Sequence, residues 1–242
     1  MTKMVVDTHI HTISSGHAYS TLAENCSEAA KKGMRLIAIT DHGPAMPGGP
    51  HIYHIGNQKV FPNFIYGVEV LKGVEANILD YDGKIDIGEK TLKKLDIVIA
   101  SLHDPCIKPG TVKENTMALI GAMKNKYVDI IGHPGNPLFP IDIDEVLRAA
   151  KEYNVLVEIN NSSFGVSRIG SSENCTTIAE AAYKKEVTLS VGSDAHIAYS
   201  IGEFSKVYEL FEKIGIEEKY IINTDENKLK DYLKSKGKLS NR

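Results

Sequence analysis

The feature that most constrains the fold of this chain is a regular alternation of apolar, β-branched runs with helical patterns. Seven runs are short enough to be single strands, at residues 4–8, 35–40, 64–74, 97–100, 128–131, 155–159 and 188–191. Between most of them, apolar residues recur with the period of an amphipathic helix, at residues 23–32, 113–124, 142–152, 175–185 and 204–214. Strands that alternate with helices form a mainly parallel sheet, because each helix returns the chain to the same end of the sheet.

The 242 residues contain no repeat and no linker. They therefore predict a single domain over residues 1–242, an α/β protein whose sheet closes into a seven-stranded barrel.

Two further segments lie outside this alternation. Residues 43–62 are rich in Gly and Pro and predict a long loop over one end of the barrel. Residues 220–234 predict a peripheral strand followed by a closing helix.

Composition and charge exclude several classes of protein. Hydrophobic residues make up 42% of the chain and charged residues 24%, which is typical of a soluble globular protein. No run approaches the ~20 apolar residues of a membrane span, and the N-terminus lacks the apolar region of a signal peptide, so we expect a cytoplasmic protein without a membrane partner. Cys26, Cys106 and Cys175 form no C-x-x-C pair, which fits a reducing compartment. A net charge of −3 argues against a nucleic-acid partner.

The first strand run leads into an H-x-H motif, His9 and His11. Alternate side chains of an extended strand share a face, so these two imidazoles point the same way and can bind one cation. A lone H-x-H is equally typical of a strand end whose histidines are hydrogen-bonded and bind no metal. The remaining polar residues must decide between the two interpretations.

All seven strand runs end in polar side chains, most of which are of metal-ligand types. In strand order these are His9 and His11, Asp41 and His42, Glu75, His103, His133, Asn160 and Asn161, and Asp194 and His196. The C-terminal ends of the strands of a βα barrel form the face that carries its active site. The histidines of this set number seven with His17, in the loop after the first strand. Together with Glu75 and Asp194 they make nine candidate ligands, enough for up to three metal ions at three protein ligands each. Imidazoles and carboxylates without thiolates suit zinc, manganese or iron.

These motifs resemble those of the PHP (polymerase and histidinol phosphatase) superfamily. They are D-T-H-I-H-T at 7–12, T-D-H-G at 40–43, G-V-E-A-N at 73–77, H-P-G-N at 133–136 and G-S-D-A-H at 192–196. The stretches S-S-G-H-A-Y-S-T at 14–21, E-I-N-N-S-S-F at 158–164 and I-G-E-F at 201–204 are similar to the YcdX-like phosphatase branch. The resemblance runs from Val5 to the end of the chain. It implies a distorted (β/α)7 barrel with a trinuclear metal centre at its C-terminal face.

The resemblance also implies how the nine ligands are shared among three ions, with zinc as the expected metal and manganese or iron as alternatives. One ion would be held by His9, His11, Glu75 and Asp194, a second by His17, His42 and His196, and a third by Glu75, His103 and His133. Glu75 would then bridge the first ion and the third.

The charge of such a centre indicates its chemistry. Three divalent cations and two carboxylates sum to roughly +4, an excess that hydroxide and a phosphate monoester dianion would offset. The sequence therefore predicts a phosphatase that hydrolyses small phosphate monoesters with a metal-activated hydroxide, with Glu75 and Asp194 in the catalytic centre.

Several residues near the predicted centre receive supporting roles. Arg168, one of four arginines, lies in the loop after the sixth strand. It is predicted to bind phosphate bidentately, and the alternative is an exposed loop arginine. Asp41 and Asp104 are expected to orient imidazoles. His51 and His54 either help to close the site over substrate or face solvent.

Two other functions remain open at this point. A PHP-type nuclease acting on phosphodiesters would benefit from a basic track with interleaved aromatics, which the sequence does not show. A non-catalytic metal-binding module would be expected to lack some ligands. The sequence allows a homo-oligomer and does not decide between it and a monomer.

Overall fold

The computed structural model describes residues 2–165 and 167–240, and its centre is a parallel sheet. Eight strands are present: β1 (Val6–Ile10), β2 (Leu36–Ile39), β3 (Phe64–Ile65), β4 (Val68–Asn77), β5 (Ile97–Ser101), β6 (Ile130–Ile131), β7 (Leu156–Asn160) and β8 (Leu189–Gly192). Seven of them pair in parallel in the order β1-β2-β4-β5-β6-β7-β8. The prediction of a seven-stranded, nearly closed (β/α) barrel is confirmed.

One predicted strand is wrong in its detail. The run at residues 64–74 is divided into β3 and β4, which form an antiparallel hairpin. Its two turn residues, Tyr66 and Gly67, have φ angles of 52° and 80°, and a positive φ at both positions is what a tight hairpin with the twist of the sheet requires. Tyrosine rarely adopts this conformation, so the sequence gives little sign of the turn.

The helices surround the sheet. They are α1 (Leu22–Lys31), α2 (Ile52–Gly56), α3 (Glu89–Leu92), α4 (Val112–Met123), α5 (Ile143–Glu152), α6 (Ser171–Lys184), α7 (Ser205–Ile214) and α8 (Glu226–Ser235). The five predicted helical patterns are confirmed as α1 and α4–α7, although α6 begins four residues earlier than expected. Residues 43–62 are not loop throughout, because they contain α2. No helix among the described residues has the length and apolar character to span a membrane.

The barrel closes between β8 and β1 in two different ways. Past the ends of these strands, Asp194 N donates to His9 O and His11 N donates to Ala195 O, both at 2.9 Å. Lower down, the side chain of Asn223 lies between the strands. Its Nδ2 donates to Val6 O at 3.0 Å and Val191 O at 2.7 Å, and its Oδ1 accepts from Val191 N at 2.7 Å. The predicted closing helix is confirmed as α8. The predicted peripheral strand is wrong, because short 3-10 turns place Asn223 here and its amide replaces a ladder of backbone hydrogen bonds.

The lower half of the barrel, toward the N-terminal ends of the strands, has an apolar interior. Its inward side chains are Val6, Leu36, Ala38, Leu71, Ile97, Ile99, Ile130 and Leu156, and Ile222, Leu229 and Leu233 cover them from below. Because strand side chains alternate, the inward positions above this layer fall on Glu75 in β4 and on Glu158 and Asn160 in β7. The upper half of the barrel is therefore polar.

Candidate metal centre

Glu75 lies at the middle of a ring of five imidazoles. Its Oε2 is 2.8 Å from His42 Nδ1, 3.4 Å from His9 Nε2 and 3.6 Å from His11 Nε2. Its Oε1 is 2.8 Å from His133 Nε2 and 3.2 Å from His103 Nε2. The two oxygens of one carboxylate thus face two separate groups of histidines.

Four buried polar atoms at this point have no hydrogen-bond partner in the described structure. They are His9 Nε2, His11 Nε2, His42 Nδ1 and Glu75 Oε2. A buried polar atom without a partner loses a few kcal/mol of solvation, about 1–3 per group, so such atoms are rarely left together. All four converge on one small volume and all are electron-pair donors when the imidazoles are neutral. This donor set fits a divalent cation.

Asp194 continues the cluster from the end of β8. Its Oδ1 lies 3.2 Å from His11 Nε2, 3.5 Å from His196 Nδ1 and 3.7 Å from His9 Nε2. Asp194 and His133 have φ angles of 56° and 30°, a left-handed conformation that costs non-glycine residues of order 1 kcal/mol and is concentrated at functional sites. The backbone is held there by the closing hydrogen bond from Asp194 N to His9 O.

Three groups of side chains have ligand atoms that all lie within 4.8 Å of one another. These groups are His9, His11 and Glu75; His11, His42 and His196; and His42, Glu75 and His103. The exposed ring of His17 adjoins the second group, with its centroid 4.8 Å from that of His196 and 5.1 Å from that of His42. The structure therefore brings together all nine residues that the sequence singles out, and the groups share His11, His42 and Glu75.

The outer nitrogens of the imidazoles are bonded to groups behind the cluster. His9 Nδ1 donates to Glu158 Oε1 at 2.8 Å, and His103 Nδ1 donates to Asn77 Oδ1 at 2.7 Å. His11 Nδ1 donates to Ser15 Oγ at 2.9 Å. These contacts fix the ring orientation and leave the Nε2 atom of each ring free for a cation.

Asp41 acts on the cluster through Ser15. The hydroxyl of Ser15, which accepts from His11, donates onward to Asp41 Oδ1 at 2.7 Å. Asp41 is thus placed to orient the imidazole of His11 indirectly, through the hydroxyl of Ser15. Asp104, which was also expected to orient an imidazole, is instead exposed and lines the cavity described below.

Glu158 is the principal site residue that sequence reasoning missed. Besides accepting from His9, it accepts from His133 N through Oε2 at 2.8 Å, and it is only 1% exposed. Ser15 and Asn77 were missed as well. The sequence contains one sign of this role. Glu158 is an acidic residue within an apolar strand run, two positions after Leu156.

The electrostatics of the cluster favour side chains that can bind a metal cation. Burial alone would raise the pKa of Glu75, but the imidazoles of His103, His9 and His42 hold it well below its usual value. Burial, helped by the neighbouring His42, lowers the pKa of His11 to about 3, so its imidazole is neutral at physiological pH. Burial opposes a charge on His9 also, but Glu158, Glu75 and Asp194 outweigh it and raise its pKa. The carboxylates that attract this proton would equally attract a metal cation.

Arg168 lies over the cluster with a largely buried side chain, 15% exposed. Its Nη2 donates to Asp194 Oδ2 at 2.7 Å and to Asn160 Oδ1 at 3.0 Å, and its Nε donates to Ser163 Oγ at 3.2 Å. Arg168 also lines a cavity of about 750 Å³ that opens over the histidines. The guanidinium is therefore part of the site wall and not an exposed loop side chain.

His51 and His54 lie beside this cavity without lining it in the described part of the chain. The exposed His51 caps the start of α2, where its Nδ1 accepts from Tyr53 N at 3.2 Å. His54 Nε2 is 3.5 Å from Asp41 Oδ2. A part for either residue in closing the site over substrate stays a prediction.

Comparisons with known sequences agree with the motifs. The model of the PHP domain matches residues 7–165. A probable phosphatase from Caldanaerobacter subterraneus subsp. tengcongensis is 59% identical over 98% of this chain and 93% of its own length. A probable phosphatase from Clostridium novyi is 54% identical over 98% of this chain and 97% of its own.

Two solved structures share the fold at low sequence identity. Histidinol phosphate phosphatase from Lactococcus lactis, complexed with zinc, L-histidinol and phosphate, has a TM-score of 0.59 at 16% identity and covers 88% of this chain and 95% of that chain. A chain of archaeal ribonuclease P with mature tRNA has a TM-score of 0.58 at 14% identity, with 98% and 93% covered. The family match and the extent of identity with the two bacterial relatives place this chain in the PHP domain family.

Proposed function

We propose that this chain is a metal-dependent phosphatase that hydrolyses phosphate monoesters at a centre of three divalent ions. The observation that carries the proposal is the position of Glu75, whose two oxygens face different groups of imidazoles at 2.8–3.6 Å. A carboxylate in that position could be shared by two ions, and the partnerless atoms around it would supply further ligands. The names of the two bacterial relatives, both probable phosphatases, support the reaction class.

The proposed ligand sets are those that the resemblance to the PHP superfamily implies, and the convergence of all nine side chains supports them. One ion is assigned to His9, His11, Glu75 and Asp194; a second to His17, His42 and His196; a third to Glu75, His103 and His133. The described cluster contains no thiolate, so zinc, manganese and iron all suit it, and zinc is the metal in the histidinol phosphate phosphatase of similar fold.

Divalent ions held in this way supply an activated water for attack on phosphorus and offset charge on the leaving oxygen. The chain itself orients the site. Glu158, Ser15 and Asn77 hold imidazoles in place, and Arg168 presents a guanidinium to the cavity above them. A guanidinium binds a phosphoryl group through two parallel N–H groups, so Arg168 is assigned to the phosphate end of the substrate.

The cavity limits the size of the substrate. About 750 Å³ is in the range of pockets for small molecules. The walls combine Arg168 and residues of the cluster with the apolar side chains of Met46, Pro47 and Ile197. A small phosphorylated molecule with its phosphate directed to the cluster suits this combination.

Metal analysis combined with an activity screen tests the proposal. Metal-replete protein should contain close to three ions per chain and should hydrolyse phosphate monoesters without cutting single-stranded DNA. Glu75→Gln should lose more than one ion, because a neutral amide is a weaker ligand, whereas Glu180→Gln on the exposed face of α6 should retain all of them. One ion or fewer in the parent protein, or loss of a single ion with normal activity in Glu75→Gln, would contradict the centre. DNA cleavage without monoester turnover would identify a nuclease instead.

A further inference from the structure

A second cavity, of about 620 Å³, lies at the opposite end of the barrel from the candidate metal centre. Its walls are the segments that lead into β5 and β6, the segment after α8, and residues 59 and 63 before β3. Seven lysines line it, namely Lys59, Lys72, Lys93, Lys94, Lys126, Lys236 and Lys238. Among the described lining residues the only acid is Asp96, in a chain whose net charge is −3. This concentration of one charge requires an explanation.

Two of these lysines are held below the surface by a single carboxylate. Lys236 and Lys238 each have a side chain that is 7% exposed, and Asp129 between them is fully buried. Lys238 Nζ bonds Asp129 Oδ2, and Lys236 Nζ lies 3.6 Å from Oδ1. Backbone carbonyls complete the bonding of both ammonium groups: Lys236 Nζ bonds Val128 O and Asn154 O, and Lys238 Nζ donates to Tyr127 O at 2.8 Å. These carbonyls carry no net charge, so two ammonium groups against one carboxylate leave a surplus positive charge that a further anion would offset. Burial, with the charge of Lys238 adding to it, lowers the pKa of Lys236 although Asp129 opposes this.

The exposed lysines around this buried group are also poorly neutralised. Lys93 pairs with Glu89 at 3.0 Å. In the part of the chain that the structure describes, no carboxylate lies within 4.0 Å of the ammonium groups of Lys59, Lys94 or Lys126. Lys126 Nζ instead lies 5.1 Å from the ring centroid of Tyr127. A concave surface lined by one charge concentrates counter-ions of the other sign.

We propose that this cavity is a binding site for a small anion that carries two or more phosphate groups. A single carboxylate or orthophosphate would offset only part of the charge, whereas an oligophosphate spans several ammonium groups at once. Lysine binds phosphate as a point charge and needs no fixed fork geometry, so lysines from separate segments can converge on one ligand. A cavity of about 620 Å³ is in the size range of small-molecule sites, whereas a nucleic-acid strand would need a longer groove that follows its backbone.

Binding at this place would also affect stability. Five of the seven lysines come from the segment after α8, the loop before β5 and the loop before β6. A ligand that contacts all three would tie the helix that covers the lower barrel to the strands above it. Because the ligand binds only the folded arrangement, it raises the melting temperature, and the rise continues with the logarithm of ligand concentration above Kd.

Titration calorimetry with inorganic triphosphate tests the proposal on the metal-containing protein. Orthophosphate is kept in excess to fill the phosphate position of the metal centre, and metal content is measured afterwards. We expect one triphosphate per chain, bound more weakly as salt rises. Lys94→Gln/Lys126→Gln should weaken binding about 5- to 20-fold, as loss of two exposed charge contacts predicts. Both side chains are exposed, so the variant should fold normally.

The matched control is Lys31→Gln/Lys206→Gln, two exposed lysines on α1 and α7 that do not line the cavity. It should bind triphosphate like the parent. A second titration with ATP distinguishes a nucleotide from an inorganic oligophosphate as the ligand. ATP that binds as tightly as triphosphate indicates a nucleotide, and ATP that binds more weakly indicates an inorganic oligophosphate. The proposal would be overturned if the two double variants bound triphosphate with equal affinity. It would also be overturned if the parent protein bound a single-stranded RNA more tightly than triphosphate.

Discussion

Glu158 and His9 are joined by a buried hydrogen bond of 2.8 Å between Oε1 and Nδ1, across 149 positions of the chain. The other oxygen of Glu158 accepts from the backbone N–H of His133, also at 2.8 Å. One carboxylate on β7 therefore positions two candidate metal ligands, His9 within β1 and His133 just after β6. Gly192 makes this approach feasible, because a Cβ at that position would lie 2.2 Å from Glu158 Oε1.

The first prediction concerns this carboxylate. In Glu158→Gln, the amide nitrogen must face either the Nδ1–H of His9 or the N–H of His133, and both are donors. We expect metal affinity to fall about 10- to 100-fold, as is typical when a group that orients a ligand is replaced. Competition with a chelating dye measures it, and Glu180→Gln serves as the control. Affinity equal to the parent would show that Glu158 is a structural buried acid only.

The second prediction separates the roles of Arg168. If its guanidinium binds the phosphoryl oxygens, Arg168→Ala loses about 1.5–3 kcal/mol of charge-assisted hydrogen bonding, roughly 10- to 150-fold in kcat/KM. Metal content should stay at the parental value. Arg168→Lys should recover part of the loss, because it keeps the charge without the planar fork.

Arg148→Ala is the matched control for this prediction, since Arg148 is an exposed arginine on α5. A metal content that falls together with activity would indicate that Arg168 acts through Asp194, to which it donates at 2.7 Å. Activity of Arg168→Ala within twofold of the parent would rule out both roles.

The third prediction concerns closure of the barrel. Asn223→Ala removes three hydrogen bonds and leaves the buried N–H of Val191 without its partner. We expect the free energy of unfolding to fall by about 2–3 kcal/mol. Urea denaturation measures the loss, and Asn227→Ala at an exposed position of α8 should change it little. Equal stability of the two variants would mean that Asn223 is dispensable for closure.

The fourth prediction concerns thiol reactivity. Burial raises the pKa of the half-buried Cys106 thiol to about 11, and the carboxylates of Asp86, Glu75 and Asp104 add to the effect. The thiol is therefore protonated at neutral pH, and its thiolate fraction at pH 8 is roughly 100-fold lower than that of an ordinary cysteine. Alkylation by iodoacetamide should accelerate about tenfold per pH unit from pH 8 to 10. A rate that levels off below pH 9 in the folded protein would contradict the raised pKa.

The sequence by itself determined the layout of the barrel and the composition of the candidate centre. Strand and helix periodicities depend on neighbouring residues, so most elements were predictable within a few positions. The chemistry of the centre was predictable for a related reason. Eight of the nine candidate ligands lie near or just past the C-terminal end of a strand, with His17 in the loop after the first one, and parallel strands bring these ends to one face.

The tertiary structure alone decided how those residues meet and what supports them. Glu158 and Asn223 look like ordinary polar residues in the sequence, and their roles come from partners 149 and 32 positions away. Glu75 faces two groups of histidines only because barrel closure brings their segments together. The same is true of the segments that form the lysine-lined cavity. Local patterns fix which way a strand's side chains point, but a contact between distant segments depends on the register and closure of the whole sheet.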